Sequence, residues 1–223
     1  MGMFLRRGPA PHRIRMSDLE IGQTIKLNVN GTPWDWLVVH QGLPSSIYDE
    51  SCNGTWLLMK DIYERRQWNN SDSNGYRGST INKYLNENLL LLFDLGIQEV
   101  IQQVKIPLEN ETGANGLPCK IFLLSGYEVG FSRSDGYFPA DGAKLSYFET
   151  GTGSSAKDKR IAYLNGSASN WWLRSRYTES IKDVWYVFNA GLASSYYATT
   201  SYGVRPALIL PSDFIVSKEM LEA

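Results

Sequence analysis

Apolar and polar positions alternate over Thr24-Ile-Lys-Leu-Asn-Val29 and again over Trp34-Asp-Trp-Leu-Val-Val39, with Asn30-Gly31 standing between the two runs. A period of two marks a strand with one buried face, and Asn-Gly supplies the left-handed residues of a tight turn, so the pattern predicts a β-hairpin. A third strand is expected around Trp56-Leu-Leu-Met59. The period then changes. Ile81, Tyr84, Leu85, Asn88, Leu89 and Leu92 recur at three- and four-residue spacing behind a possible N-cap, Ser79 or Thr80, and predict an amphipathic helix over residues 80–93. A second apolar stripe, Ile97, Val100, Ile101 and Val104, predicts another helix that Pro107 ends.

Cys119-Lys-Ile-Phe-Leu-Leu-Ser125 reads as a short buried strand, and residues 132–159, rich in Gly, Ser and Asp, as a long surface excursion. Ile161-Ala-Tyr-Leu, Trp171-Trp-Leu-Arg, Val184-Trp-Tyr-Val-Phe and Val204-Arg-Pro-Ala-Leu-Ile-Leu then read as short strands separated by loops. The expected class is α+β, with two amphipathic helices, short antiparallel strands and long irregular loops. Residues 1–17 hold Arg6, Arg7, Arg13 and Arg15 with Pro9 and Pro11 and no acid, a basic flexible arm. Residues 18–223 are expected to form a single domain, and no solenoid-length repeat is visible.

Composition narrows the partners. A formal charge of −1 gives no global attraction to nucleic acid, which is not expected as a partner. No apolar run approaches the ~20 residues of a membrane span, so membrane insertion is not expected either. The first residues lack the apolar core of a cleavable signal. Cys52 and Cys119, far apart in sequence, read as two buried thiols. Asn30-Gly-Thr, Asn53-Gly-Thr and Asn165-Gly-Ser fit the glycosylation pattern, but without a secretory signal they read as turns.

From Leu192 to Tyr202 the chain reads Leu-Ala-Ser-Ser-Tyr-Tyr-Ala-Thr-Thr-Ser-Tyr, with no charge, Gly or Pro. Tyrosine gives rigid amphipathic contact area at low entropic cost, and hydroxyl residues give adaptable hydrogen bonds, which is the chemistry of a recognition surface. In a strand, Trp185 and Val187 point to one face and Tyr186 and Phe188 to the other, so one pair can anchor the core while the other contacts a ligand.

Tyr163-Leu-Asn-Gly, Asn170-Trp-Trp-Leu-Arg-Ser175 and Gly203-Val-Arg-Pro-Ala-Leu208 resemble landmarks of a family common in phages and prophages of gut bacteria. Gly78-Ser-Thr-Ile-Asn-Lys-Tyr-Leu-Asn86 and Ile121-Phe-Leu-Leu-Ser-Gly-Tyr-Glu-Val-Gly130 extend the resemblance over about residues 20 to 212. That family has a C-type-lectin-like, or formylglycine-generating-enzyme-like, fold and includes variable proteins of diversity-generating retroelements. The resemblance implies that adenine-directed copying rewrites a C-terminal region, here about residues 176–202, while Trp185, Val187, Gly191 and the Gly-Val-Arg-Pro ending stay as scaffold.

On that reading Tyr177, Thr178, Tyr186, Phe188, Ser194, Ser195, Tyr196, Tyr197, Thr199, Thr200, Ser201 and Tyr202 contact the ligand. Trp171, Trp172 and Trp185 support them from the core, and Arg174 and Arg205 bond carbonyls or carboxylates that hold the loop. Catalysis finds little footing. His12 lies in the arm and His40 at a strand end, and Glu109, Glu111, Asp135 and Asp141 read as solvated loop charge. The fold relatives that oxidise a substrate cysteine use a close cysteine pair that the C-terminal part of this chain lacks. Asp135, Asp141 and Asp158 offer oxygens suited to calcium but no dense Asp-x-Asp run, and no metal or other cofactor is expected. The expected function is therefore non-enzymatic binding of a protein or carbohydrate on a host surface or other extracellular target, from a virion or a bacterial cell surface. The alternative is a structural virion or cell-surface domain, with a homo-oligomer or virion partner on the same residues.

Overall fold

The structure, a computed structural model, describes residues 13–132, 138–149 and 154–221. Strands β1 (Thr24–Val29) and β2 (Thr32–Gly42) pair antiparallel with Val29 opposite Thr32. Asn30 and Gly31 take φ of 53° and 71°, the left-handed pair that a two-residue hairpin demands. Strands β3 (Gly54–Met59) and β4 (Glu64–Gln67) and helix α1 (Thr80–Glu87) follow. Next come helix α2 (Leu95–Val100) and strands β5 (Val104–Ile106), β6 (Leu117–Cys119) and β7 (Ile121–Leu123). After the short helices α3 (Ser146–Glu149) and α4 (Ser154–Asp158) come β8 (Tyr163–Leu164), β9 (Ser167–Ala168), β10 (Trp171–Arg176), β11 (Asp183–Val187), β12 (Ala193–Tyr197), β13 (Ser201–Val204), β14 (Pro206–Leu210) and helix α5 (Lys218–Leu221).

Among the described residues the strands form two five-stranded sheets, ordered β1-β2-β3-β14-β7 and β12-β11-β10-β13-β4, with two smaller hairpins. The first is antiparallel throughout, and the second has one parallel pair, β10 with β13. The class is α+β. Arg205 sits where the chain leaves β13 for β14 and so changes sheets. Its Nε and Nη2 donate to the carbonyls of Met59 and Lys60 at 2.9 and 2.8 Å, at the end of β3 and just before β4. Tyr63 N–H donates to the Val204 carbonyl at 2.9 Å beside it. Two of the passages of the chain between the sheets, β3 to β4 and β13 to β14, are thereby held together. Five tryptophans, Trp36, Trp56, Trp68, Trp171 and Trp172, are wholly buried in one continuous core with the faces of both sheets, and Trp185 is buried beside them.

Several expectations are corrected. The helix over residues 80–93 stops at Glu87, and Leu89–Leu92 make a single tight turn, because Leu92 and Phe93 are drawn to the edge of β1. There Asn30 N–H donates to the Leu92 carbonyl, and Val29 bridges Phe93. The second stripe is cut at Val100. Gln102 N–H donates to the Ile209 carbonyl, so Val104 joins a strand, and no residue of α2 is fully buried. Asn53-Gly54 is not a turn: Gly54 begins β3, where an added Cβ would meet the Leu210 carbonyl at 2.7 Å. The excursion of residues 132–159 is not a surface loop in its described parts, because Phe138, Leu145 and Phe148 enter the core. Of the arm at residues 1–17, residues 1–12 lie outside the described residues, while Met16 is buried and Arg15 bridges Ile215.

Candidate functional site

β11 and β12 form a hairpin whose shape is set by Gly191. Phe188 N–H donates to the Leu192 carbonyl at 2.7 Å, and Gly191, at φ 78°, closes the three-residue loop between them. The Gly191 carbonyl accepts from Arg160 Nε at 2.8 Å, and Asn189 N–H donates to Asn170 Oδ1 at 2.9 Å. The tip is thus tied to the segment entering β10. Behind it Val184, Val187, Trp171 and Trp172 are wholly buried. The two indole N–H groups donate at 2.9 Å to the carbonyls of Arg160 and Arg66.

The register places the expected contact residues on two faces. Tyr186 opposes both Trp172 and Ser194, and Val184 opposes Tyr196, so these share one face. Trp185 opposes Ser195 and Asp183 opposes Tyr197, on the other. The expectation that Tyr186 is an exposed contact is corrected: it is only 6% exposed. The Tyr202 ring lies 4.6 Å from it, centroid to centroid, and Trp172 lies 6.0 Å away. Tyr186 is therefore the buried member of an aromatic cluster whose outer members are Tyr202, half-buried, and Tyr196, 6.2 Å from Tyr202. Partial burial, with the neighbouring Tyr186 next, pushes the Tyr202 phenol up to about 12, so it stays protonated and can donate a hydrogen bond at neutral pH.

Tyr196, Tyr197 and Phe188 are exposed by 46, 52 and 40%. Thr199 and Ser201 are exposed too, and Ser194, Ser195 and Thr200 are half-buried. Tyr177 is set apart from the Tyr186 cluster, edge-on to Trp185 on the opposite face, with Thr178 half-buried after it. Trp185 itself stacks on Phe138 at 4.1 Å. Leu192, which opens the tyrosine and hydroxyl run, is exposed at the hairpin tip. One neighbour of the surface was missed in the sequence: Arg66 opposes Tyr202 with its guanidinium 3.5 Å over the Tyr84 ring. Alternation within Glu64-Arg-Arg-Gln67 marks a strand but does not reveal which strand it joins.

A separate polar centre lies at the other end of β10. Arg174 Nη1 and Nη2 donate to Glu128 Oε2 and Oε1 at 2.5 and 2.6 Å, and Nη1 also donates to the Leu123 carbonyl at 3.0 Å. Tyr48 donates to Glu128 Oε1 at 2.7 Å, and Ser175 donates to Asp141 Oδ2 at 2.7 Å. The reading of Asp141 as solvated loop charge is corrected, since it is buried. Burial, opposed by Arg174 and Ser175, pushes its carboxyl up to about 7. Glu128 was missed as a site, although it stands within the Ile121–Gly130 landmark. In front of this centre opens a cleft of about 620 Å³, flanked by the ion pairs Arg77–Glu111 and Arg176–Glu109. Glu109 and Glu111 are thus paired. Arg174 and Arg205 bond the frame and not the hairpin tip directly.

His40 Nδ1 accepts from Ser146 N–H at 3.3 Å and lies 2.8 Å from Ser146 Oγ, which makes the ring a cap for the start of α3. His12 and Asp135 lie outside the described residues, and Asp158 is exposed. Among the described residues no three His, Cys, Asp or Glu side chains are placed to hold a metal ion. Cys52 and Cys119 are buried and free, and burial pushes the Cys52 thiol up to about 12. No helix of the described residues is long and apolar enough to cross a membrane. The model of a family described as a domain of unknown function, DUF6273, matches residues 53–212. No curated protein and no solved structure matches the chain.

Proposed function

The chain belongs to the DUF6273 family, and on the chemistry of its exposed hairpin we propose that it is a non-enzymatic, phage- or prophage-encoded variable protein with a C-type-lectin-like fold. It binds a host-surface or other extracellular target through the β11–β12 hairpin and the start of β13, a region diversified by a retroelement. Its place is a virion or a bacterial cell surface. The observation that carries this reading is the sharp change of environment along the hairpin. Val184, Tyr186 and Val187 are buried, whereas Phe188, Tyr196 and Tyr197 stand in solvent within a stretch free of charge. Substitutions at exposed positions away from caps and strained backbone stay within ~0.5 kcal/mol, so these side chains can change while the frame persists. Several copies on one particle would add avidity to a weak single contact.

The test has two arms. Sequencing the locus should find a reverse transcriptase and a near-copy of the segment encoding residues 176–202, differing at adenines. Tyr196→Ala with Tyr197→Ala should leave the thermal midpoint within a few degrees and abolish binding to whole cells of the bacterial host. A collapse of the fold in that variant would sink the reading. The absence of charge from Leu192 to Tyr202 favours a second reading, subunit contact in a virion or cell-surface assembly. Sedimentation that shows an oligomer dispersed by the same double substitution would select it.

A further inference from the structure

Among the described residues β12 pairs along only one of its two backbone edges. Its pairing with β11 is bracketed by Phe188 N–H donating to the Leu192 carbonyl at 2.7 Å and Ala198 N–H donating to the Lys182 carbonyl at 2.8 Å. Between these the register runs without a shift from Val187 opposite Ala193 to Asp183 opposite Tyr197. Antiparallel partners alternate between bonded and non-bonded pairs. With the pairs 188/192 and 182/198 bonded, Ser194 and Tyr196 direct their N–H and C=O groups to β11, and Ala193, Ser195 and Tyr197 direct theirs away from it. Among the described residues β12 is the end strand of its sheet, and these groups meet no further strand. The Tyr197 carbonyl takes the Thr200 N–H at 2.9 Å, which leaves the run at Ala193 and Ser195 and the N–H of Tyr197.

Proteins discourage pairing at such edges with lysine, proline, inward charge or a bulge. Residues 192–202 carry no charge and no proline, and β12 has no bulge against β11. The unused groups also recur at every second residue, about 6.8 Å apart, which is the repeat of an extended peptide backbone and not of a sugar ring. Resting on the binding reading above, we propose that the partner is a protein and that it supplies an extended segment which adds to β12 as a further strand. Tyr196 on one face and Tyr197 on the other then flank the added strand, and their identity selects its side chains. Main-chain bonds give affinity in this mode and side-chain pockets give specificity. The division suits a surface whose side chains vary, because the backbone bonds survive every substitution except proline.

Proline provides the test. Ser195→Pro removes an outward N–H, whereas Ser195→Ala removes only the hydroxyl. Ala193→Pro repeats the deletion at the first residue of the strand, where proline is tolerated. Thermal melts establish that each variant folds, and binding is read on an array of immobilised random linear peptides beside an array of neutral and acidic glycans. The expected result is peptide binding that Ser195→Ala retains and that both proline variants weaken about tenfold or more, the equivalent of one or two lost hydrogen bonds. Unchanged peptide binding in a folded proline variant, signal on glycans alone, or signal on neither array would overturn the proposal. Self-association abolished by proline, without peptide binding, would also overturn it and assign the edge to a second copy of the chain. Loss of binding in Tyr196→Ala with Tyr197→Ala but not in the proline variants would sink the strand-addition proposal alone. The converse would sink the tyrosine reading and spare the edge.

Discussion

Arg174 and Glu128 are both wholly buried and meet through two parallel hydrogen bonds, with Tyr48 completing the carboxylate. A buried pair of this kind gains little net stability over an apolar replacement, but removing one partner leaves an uncompensated charge costing about 3–5 kcal/mol. It fixes where β10 sits against the end of β7 more than how firmly the domain holds. Asp141 beside it has a different consequence. Its carboxyl is raised to about 7 in the fold, mainly by burial, from an ordinary 3.8. The stabilisation from the protonated form is fully present below the unfolded value and is lost as pH rises through about 7. His40 works in the opposite sense: burial lowers its pKa, so stability increases as pH rises towards 6.5 and is fully present above it. Melts of the native chain and of Asp141→Asn share the His40 contribution, and their difference isolates Asp141. The native midpoint is expected to fall relative to the variant between about pH 4 and about pH 7. A constant difference would show that the carboxyl ionises normally.

At the scale of elements, the hairpin that carries the exposed tyrosines depends on one residue. Gly191 has φ 78°, and a Cβ there would stand 2.2 Å from the Lys157 carbonyl oxygen. Gly191→Ala therefore combines left-handed strain with a clash against backbone, and a loss of about 1–3 kcal/mol is expected in chemical denaturation. Gly31→Ala, with open space around it, should lose less than Gly191→Ala. Local patterns such as the Asn30-Gly31 hairpin and the N-cap of α1 by Ser79 were legible because the residues that specify them are neighbours. The helix ends at Glu87 and Val100 were not. They are set by long-range bonds from Asn30 to Leu92 and from Gln102 to Ile209, which apolar periodicity does not record. The same limit explains Tyr186. Alternation gave its face correctly, but Tyr202, arriving on a strand two removed from its own, covers it.

Over the whole molecule, the two sheets share a seam at Arg205. Among the described residues its guanidinium bonds the Met59 and Lys60 carbonyls and faces the Trp171 ring at 4.8 Å, with no carboxylate bonded to it, and burial lowers its pKa to about 10. It remains charged at neutral pH, and a lysine cannot reproduce the fork. Arg205→Lys is expected to lower the thermal midpoint by roughly 4 °C or more, while leaving secondary structure content by circular dichroism intact below the transition. The Trp-Trp-Leu-Arg and Gly-Val-Arg-Pro motifs were recognisable in the sequence as frame. Their partners were not, since Glu128 lies 46 residues from Arg174 and Met59 lies 146 from Arg205. The exposed surface was legible in its chemistry, through the tyrosine and hydroxyl run. The division of that run between the two sides of an end strand was not, because it depends on the register with β11.

The order of the last strands has a further consequence. The β11–β12 hairpin is translated before β14, and β14 lies between β3 and β7 near the middle of the opposite sheet. On the proposed reading, a copying slip that shifted the reading frame within residues 192–202 would also scramble that central strand and the arginine at the seam. A chain altered in this way could not complete the core, so if the proposed function holds, the order of the strands would remove frame-shifted products before they are displayed.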